Sequence, residues 1–258
     1  MKALFLSDTH LRRRSDKNYR LFIAFMSQMM EGAIPGHPKG EVERLYLVGD
    51  IFDFWFARKD KIYPEYLPVL EKFQTLLRRG IEIHFFEGNH DFFLREYFSG
   101  MRGHNVYEDW GDILLDGFRL CVSHGDLIDR QNRRYLFLRR ILRSRGFFLF
   151  QRHLPLPLVW FLAGLSSDLG QEKRKHGEET LVRTMYEFAL KQFELGYDAS
   201  IFGHCHLPRL YTSRQGGRNR VFVVLGDWLK HFTFLYYQDG TFYLRDISGQ
   251  NIGSGHLG

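Results

Sequence analysis

Cysteine is almost absent: 258 residues contain two, Cys121 and Cys205. That excludes a disulfide framework, and two thiols cannot complete a structural zinc site unaided. Long apolar runs are also missing. A membrane span needs roughly 20 consecutive apolar residues. The nearest stretch, 146–165, is interrupted by Gln151, Arg152, His153, Pro155 and Pro157. The opening KALFLSD meets an acid at once, so no signal peptide is expected. No internal repeat is visible. What is plentiful is aromatic surface, with 25 Phe and 13 Tyr. Apolar residues make up 44% and charged residues 26%, too hydrophobic for disorder and ordinary for one large globular domain. The net charge of +6 permits nucleic acid, anionic membrane or phosphorylated ligands and selects none of them.

Short apolar strands are expected at 2–7, 44–49, 81–87, 113–115, 118–123, 199–202, 220–225, 232–237 and 241–247. Asp116-Gly117 and Asp239-Gly240 mark hairpin turns. Helical spacing runs over 20–31 and 66–79, and again from about 127 to 195. These elements predict an α/β layered sandwich over 1–248 with a helical cap insertion at about 127–195. Residues 249–258, with four Gly, read as a flexible tail.

Five predicted strands end in polar clusters: Asp8-Thr9-His10, Gly49-Asp50, Gly88-Asn89-His90-Asp91, His124-Gly125-Asp126 and Gly203-His204-Cys205-His206. Singly, each has an ordinary reading as a turn, a cap or a surface histidine. Together they matter, because ligands of open α/β sheets bind at the carboxyl ends of strands. Residues i and i+2 of an extended terminus point the same way, so Asp8 with His10 could share one ion, and His204 and His206 could both face the centre. Carboxylate, amide and imidazole donors suit manganese, iron(II) or zinc better than calcium.

The ordered set SDTH, GDIFDFW, GNHDFF, HGD and GHCHLPRL resembles the calcineurin-like metallophosphoesterases. The helical insertion after HGD is similar to that of the UDP-2,3-diacylglucosamine pyrophosphatases of lipid A synthesis. The resemblance implies a four-layer α/β/β/α sandwich and two divalent metal ions, most often manganese. It implies that Asp8, His10, Asp50 and His206 hold one ion. Asp50, Asn89, His124 and His204 would hold the other, with Asp50 as the bridge. Such a centre activates water at neutral pH for attack on phosphorus. His90 would donate to the phosphate or to the leaving oxygen, and Asp91 would orient a neighbouring imidazole. Asp53 would either do the same or cap the next helix. Tyr135, Ser167 and Arg174 match family substrate contacts, alongside Asn89 and His90.

The implied reaction cleaves UDP-2,3-diacylglucosamine to UMP and 2,3-diacylglucosamine 1-phosphate. The implied location is cytoplasmic, peripheral on the inner membrane. The chain departs from the best-known branch at His90, where that branch has Arg; the alternative is a broader phosphodiesterase or phosphatase. A nucleic-acid partner is not expected, since the further capping domain and coiled coil of the related nucleases are not visible. Finally, 130–153 holds eight Arg and no acid, interleaved with Leu, Ile, Phe and Tyr. Such a segment can face an anionic leaflet, with Arg139, Arg140 and Arg143 among its contacts.

Overall fold

The computed structural model describes residues 1–55, 62–98, 104–151 and 177–258. Two sheets form. One has seven strands in the order β12-β11-β10-β1-β2-β3-β4 and the other five in the order β5-β6-β7-β9-β8. The first contains β1 (Lys2–Leu6), β2 (Arg44–Val48), β3 (Glu82–Phe86), β4 (His104–Tyr107), β10 (Thr233–Gln238), β11 (Thr241–Asp246) and β12 (Asn251–His256). The second contains β5 (Trp110–Leu115), β6 (Phe118–Ser123), β7 (Ala199–Phe202), β8 (Arg209–Gln215) and β9 (Arg218–Val224). β1, β2, β3 and β4 run parallel, whereas β10 joins β1 antiparallel.

Strand periodicity builds the layers. On β1, Ala3 and Phe5 face the second sheet, where they pack with Leu120, Val122, Ile201 and Val223. Leu4 and Leu6 face outward, against α1 (Lys17–Met30) and α2 (Leu67–Arg78) through Phe22, Phe25, Leu70 and Phe73. Both faces are buried, which is why these strands read as unbroken apolar runs rather than alternating ones. On the far side, Phe202, Phe222 and Val224 pack on α6 (Glu178–Glu194) through Val182, Met185 and Ala189. The result is the expected four-layer α/β/β/α sandwich. α6 supplies its fourth layer, so the last part of the helical region expected to be a cap belongs to the sandwich. Both cysteines lie in this last core, where burial pushes their thiols up to about 12.

Both Asp-Gly turns form as expected, with positive φ at Asp116, Gly117, Asp239 and Gly240. β4 and β8 were not foreseen. The expected tail is corrected outright: 251–256 is the edge strand β12, paired antiparallel with β11. Its glycines are a packing requirement. A Cβ on Gly255 would stand 2.8 Å from Thr212 Oγ1 and 3.1 Å from Val221 Cγ2, so only glycine lets β12 lie against the second sheet. Leu257 then enters the core between the sheets at 1% exposure. Leu257→Ala is expected to lower unfolding stability by about 2–5 kcal/mol in a denaturant titration. An unchanged midpoint would mean that the segment hangs free.

Candidate metal centre

The loops after β1, β2 and β3 are fastened to one another before any side chain meets. Backbone amides of Asp8, His10 and Leu11 donate to the carbonyls of Gly49, Asp50 and Ile51 at 3.1, 3.0 and 2.9 Å. The buried Asp91 carboxylate accepts from the amides of Asp50 (2.8 Å), Ile51 (2.7 Å), Phe52 (3.2 Å) and Gly88 (3.0 Å). Its lone pairs are therefore spent on main chain, and the expectation that Asp91 orients an imidazole is not met. Gly88 lies so close that a Cβ there would fall on the Asp50 carboxylate. Only glycine allows that approach.

Four of the clustered residues have left-handed backbone: Asp8 (φ 51°), His10 (43°), Asp50 (52°) and His204 (62°). Non-glycine residues there cost about 1–3 kcal/mol each and persist only where surrounding contacts impose them. Turns, rather than the extended i and i+2 geometry expected from the sequence, bring these side chains together.

Asp50 lies at the middle. Its Oδ1 accepts from the His90 amide at 2.8 Å. Its Oδ2 faces His124 Nε2 at 3.5 Å, His10 Nε2 at 3.8 Å and His90 Nε2 at 4.0 Å. On one side Asp8 Oδ1 faces His206 Nε2 at 3.4 Å and His10 Nε2 at 3.9 Å. On the other, Asn89 Oδ1 lies 3.1 Å from His124 Nε2 and 3.0 Å from His204 Nδ1. Potential ligand atoms within Asp8–His10–His206, within Asp8–Asp50–His124 and within His10–Asp53–His90 lie inside 4.8 Å of one another. All seven residues expected as ligands, and His90, thus converge on one pocket.

Groups behind the imidazoles fix which nitrogen is bare. His124 Nδ1 donates to the Val48 carbonyl at 3.1 Å, and His90 Nδ1 donates to the Asp53 carbonyl at 2.8 Å. A carbonyl only accepts, so each ring carries a proton on Nδ1 and, when neutral, turns a lone pair on Nε2 towards the centre. Asp53 Oδ1 stands 3.6 Å from His10 Nδ1 and Asp227 Oδ2 stands 3.5 Å from His206 Nδ1. Asp53 thus stands beside a histidine, one of the two places expected of it. Asp227 was missed by sequence reasoning, although Gly226-Asp227 follows β9 as Gly49-Asp50 follows β2.

The electrostatics call for a cation. Burial works against charge on Asp8 and Asp50, yet the surrounding imidazoles hold both carboxyls below their ordinary value. Burial likewise disfavours charge on His124, but Asp50 and Asp8 push it up to about 10, so these carboxylates demand positive charge beside them, a proton on His124 or a cation in its place. Asp8 Oδ1, Asp50 Oδ2 and His10 Nε2 are buried and make no hydrogen bond. Buried acceptors facing one another are stable only with positive charge among them. This donor set therefore fits divalent ions with borderline preferences.

After α3 (Leu94–Phe98), α4 (Arg133–Leu142) borders the pocket, and α5 (Arg145–Gln151) follows it. Asn132 caps α4 by accepting from the Tyr135 amide at 3.2 Å. The Tyr135 hydroxyl donates to Asp126 at 2.5 Å, and its ring lies 6.3 Å from that of His204. Arg139 also donates to Asp126, at 2.7 Å, and Arg143 donates to Glu87 at 3.1 Å. The expectation that Arg139 and Arg143 face a membrane is therefore corrected: both turn inward to buried carboxylates, whereas Arg140 is exposed. Ser167 and Arg174 lie outside the described residues.

Comparison with known proteins agrees with this geometry. The family model of calcineurin-like phosphoesterases matches residues 1–208. A UDP-2,3-diacylglucosamine hydrolase of Vibrio cholerae serotype O1 is 30% identical, over 96% of this chain and 100% of its own length. Relatives of the same name in Aeromonas salmonicida and Stenotrophomonas maltophilia are 30% and 28% identical, covering 93% and 98% of this chain. Strand-end clusters on a two-sheet sandwich and a family match over most of the length lead to one conclusion: the chain belongs to the calcineurin-like phosphoesterase family.

Proposed function

We propose that the chain is a metal-dependent hydrolase that splits the pyrophosphate of UDP-2,3-diacylglucosamine into UMP and 2,3-diacylglucosamine 1-phosphate. The observation that carries this reading is the pair of donor sets meeting at Asp50, beneath a cap that is aromatic and cationic. Full-length relatives bearing the hydrolase name support the choice of substrate over a generic phosphoester.

Asp8, His10, Asp50 and His206 would hold one ion and Asp50, Asn89, His124 and His204 the other. Manganese is our choice among the metals this donor set suits. When bound, two such ions supply Lewis acidity towards phosphoryl oxygens and a nucleophile from water at neutral pH. The chain's own groups do the rest. Asp53 and Asp227 keep His10 and His206 turned with Nε2 inward. His90, anchored through Nδ1, presents Nε2 to the substrate phosphate or the leaving oxygen. Tyr135, held by Asp126, lines the pocket on the cap side.

Purified protein with manganese would be assayed on UDP-2,3-diacylglucosamine and on bis-p-nitrophenyl phosphate. We expect UMP from the first. Turnover of the generic ester with no UMP from the lipid would overturn the substrate.

We also propose that the cap rests on an anionic membrane surface. Among the described residues no helix is long and apolar enough to cross a membrane. However, Phe137, Leu138, Ile141, Leu149 and Phe150 are exposed, between 44% and 67%. Exposed Arg133, Arg134, Arg140 and Arg145 stand among them. Exposed aliphatic and aromatic groups ringed by arginines suit the interface of an anionic leaflet. Replacing Phe137, Leu138 and Ile141 together with Ser is expected to weaken binding to vesicles containing phosphatidylglycerol and spare turnover of the soluble diester. Unchanged vesicle binding would contradict this docking face.

A further inference from the structure

Tyr135 and Arg139 on α4 and Arg143 at its C-cap stand four residues apart and form one inward stripe, as helical spacing requires. Tyr135 and Arg139 end on Asp126, and Arg139 also donates to Asp109 at 2.6 Å. Arg143 does something different. Its guanidinium donates to the Gly88 carbonyl at 2.7 Å, the Glu108 carbonyl at 2.9 Å and Glu87 Oε2 at 3.1 Å. It also stands over the Phe92 ring at 5.6 Å from the centroid. The other oxygen of Glu87 accepts from the Leu94 amide at 2.8 Å. One cap side chain thus holds both ends of the loop that carries Asn89, His90 and Asp91.

The Gly88 carbonyl belongs to the peptide unit that continues into Asn89. We propose that Arg143 is a positioning residue: it fixes the Gly88–Asn89 peptide plane and thereby aims Asn89 Oδ1 at the point where His124 and His204 converge. The inference rests on the reading of Asn89 as a ligand. The planar fork matters, because a guanidinium can serve two carbonyls and a carboxylate at once and an ammonium cannot keep that geometry. Glu87 is buried, and Arg143 offsets its charge. The seating of the cap and the aim of one ligand are then a single event.

The test uses the full chain and a substrate that does not need the cap. Manganese content per chain after desalting, manganese affinity by calorimetry, and kcat and KM on bis-p-nitrophenyl phosphate would be measured for the wild type, Arg143→Ala, Arg143→Lys and Asn89→Ala. Groups that orient a metal ligand typically matter by about 10- to 100-fold in affinity or turnover. We expect Arg143→Ala to weaken binding of one of the two ions by that much and to lower kcat with KM little changed. Arg143→Lys should recover part of both losses, and it carries the test if the alanine variant does not fold. If Asn89→Ala loses an ion while Arg143→Ala binds both as the wild type does, the coupling is overturned. If neither loses an ion, the ligand reading of Asn89 falls and the coupling with it.

Discussion

A carboxylate with no access to water is the costliest group a protein can bury unless something positive shares its pocket. Asp50 is such a group, at 0% exposure. One oxygen is committed to the His90 amide, and the other is surrounded by the rims of three imidazoles. The loop fastening, the left-handed backbone at Asp8, His10, Asp50 and His204 and the close approach of Gly88 all serve to keep that oxygen in place. Asp91 contributes through four backbone amides rather than through chemistry, making the second and third loops one rigid piece.

The support behind the histidines follows the same logic. His10 and His206 have buried carboxylates at their outer nitrogens, whereas His124 and His90 have backbone carbonyls. Either partner leaves Nε2 facing inward. The cap completes the arrangement from above. Its inward stripe is polar and ends on acids and carbonyls, and its outward face is apolar with arginines beside it. One helix thereby ties the loops of the centre to an exposed apolar face.

Much of this was legible because burial writes a simple pattern. Strands covered on both faces appear as apolar runs, and the residues that end them stand out by contrast, as in GDIFD and GNHD. The Asp-Gly pairs announced both hairpins for the same local reason. What escaped has physical causes. β4, HNVY, is a partly exposed edge, so it carries no run of apolar residues. β12 is rich in glycine because another sheet lies against it, and glycine otherwise reads as a loose end. α6 showed its apolar stripe, yet periodicity cannot say whether a helix covers a sheet or a cap. The destinations of Arg139 and Arg143 depend on acids distant in sequence, Asp109, Asp126 and Glu87, and no local pattern reveals such pairs. Asp227 hid behind an ordinary turn signal.

The central claim is that remote loops form one pocket for two cations around a single shared carboxylate. Elemental analysis of manganese-saturated protein, wild type against Asp50→Ala, tests it most directly, with circular dichroism confirming that the variant remains folded. The account predicts two ions per chain in the wild type and loss of both in the variant. Two ions retained by a folded Asp50→Ala protein would contradict it.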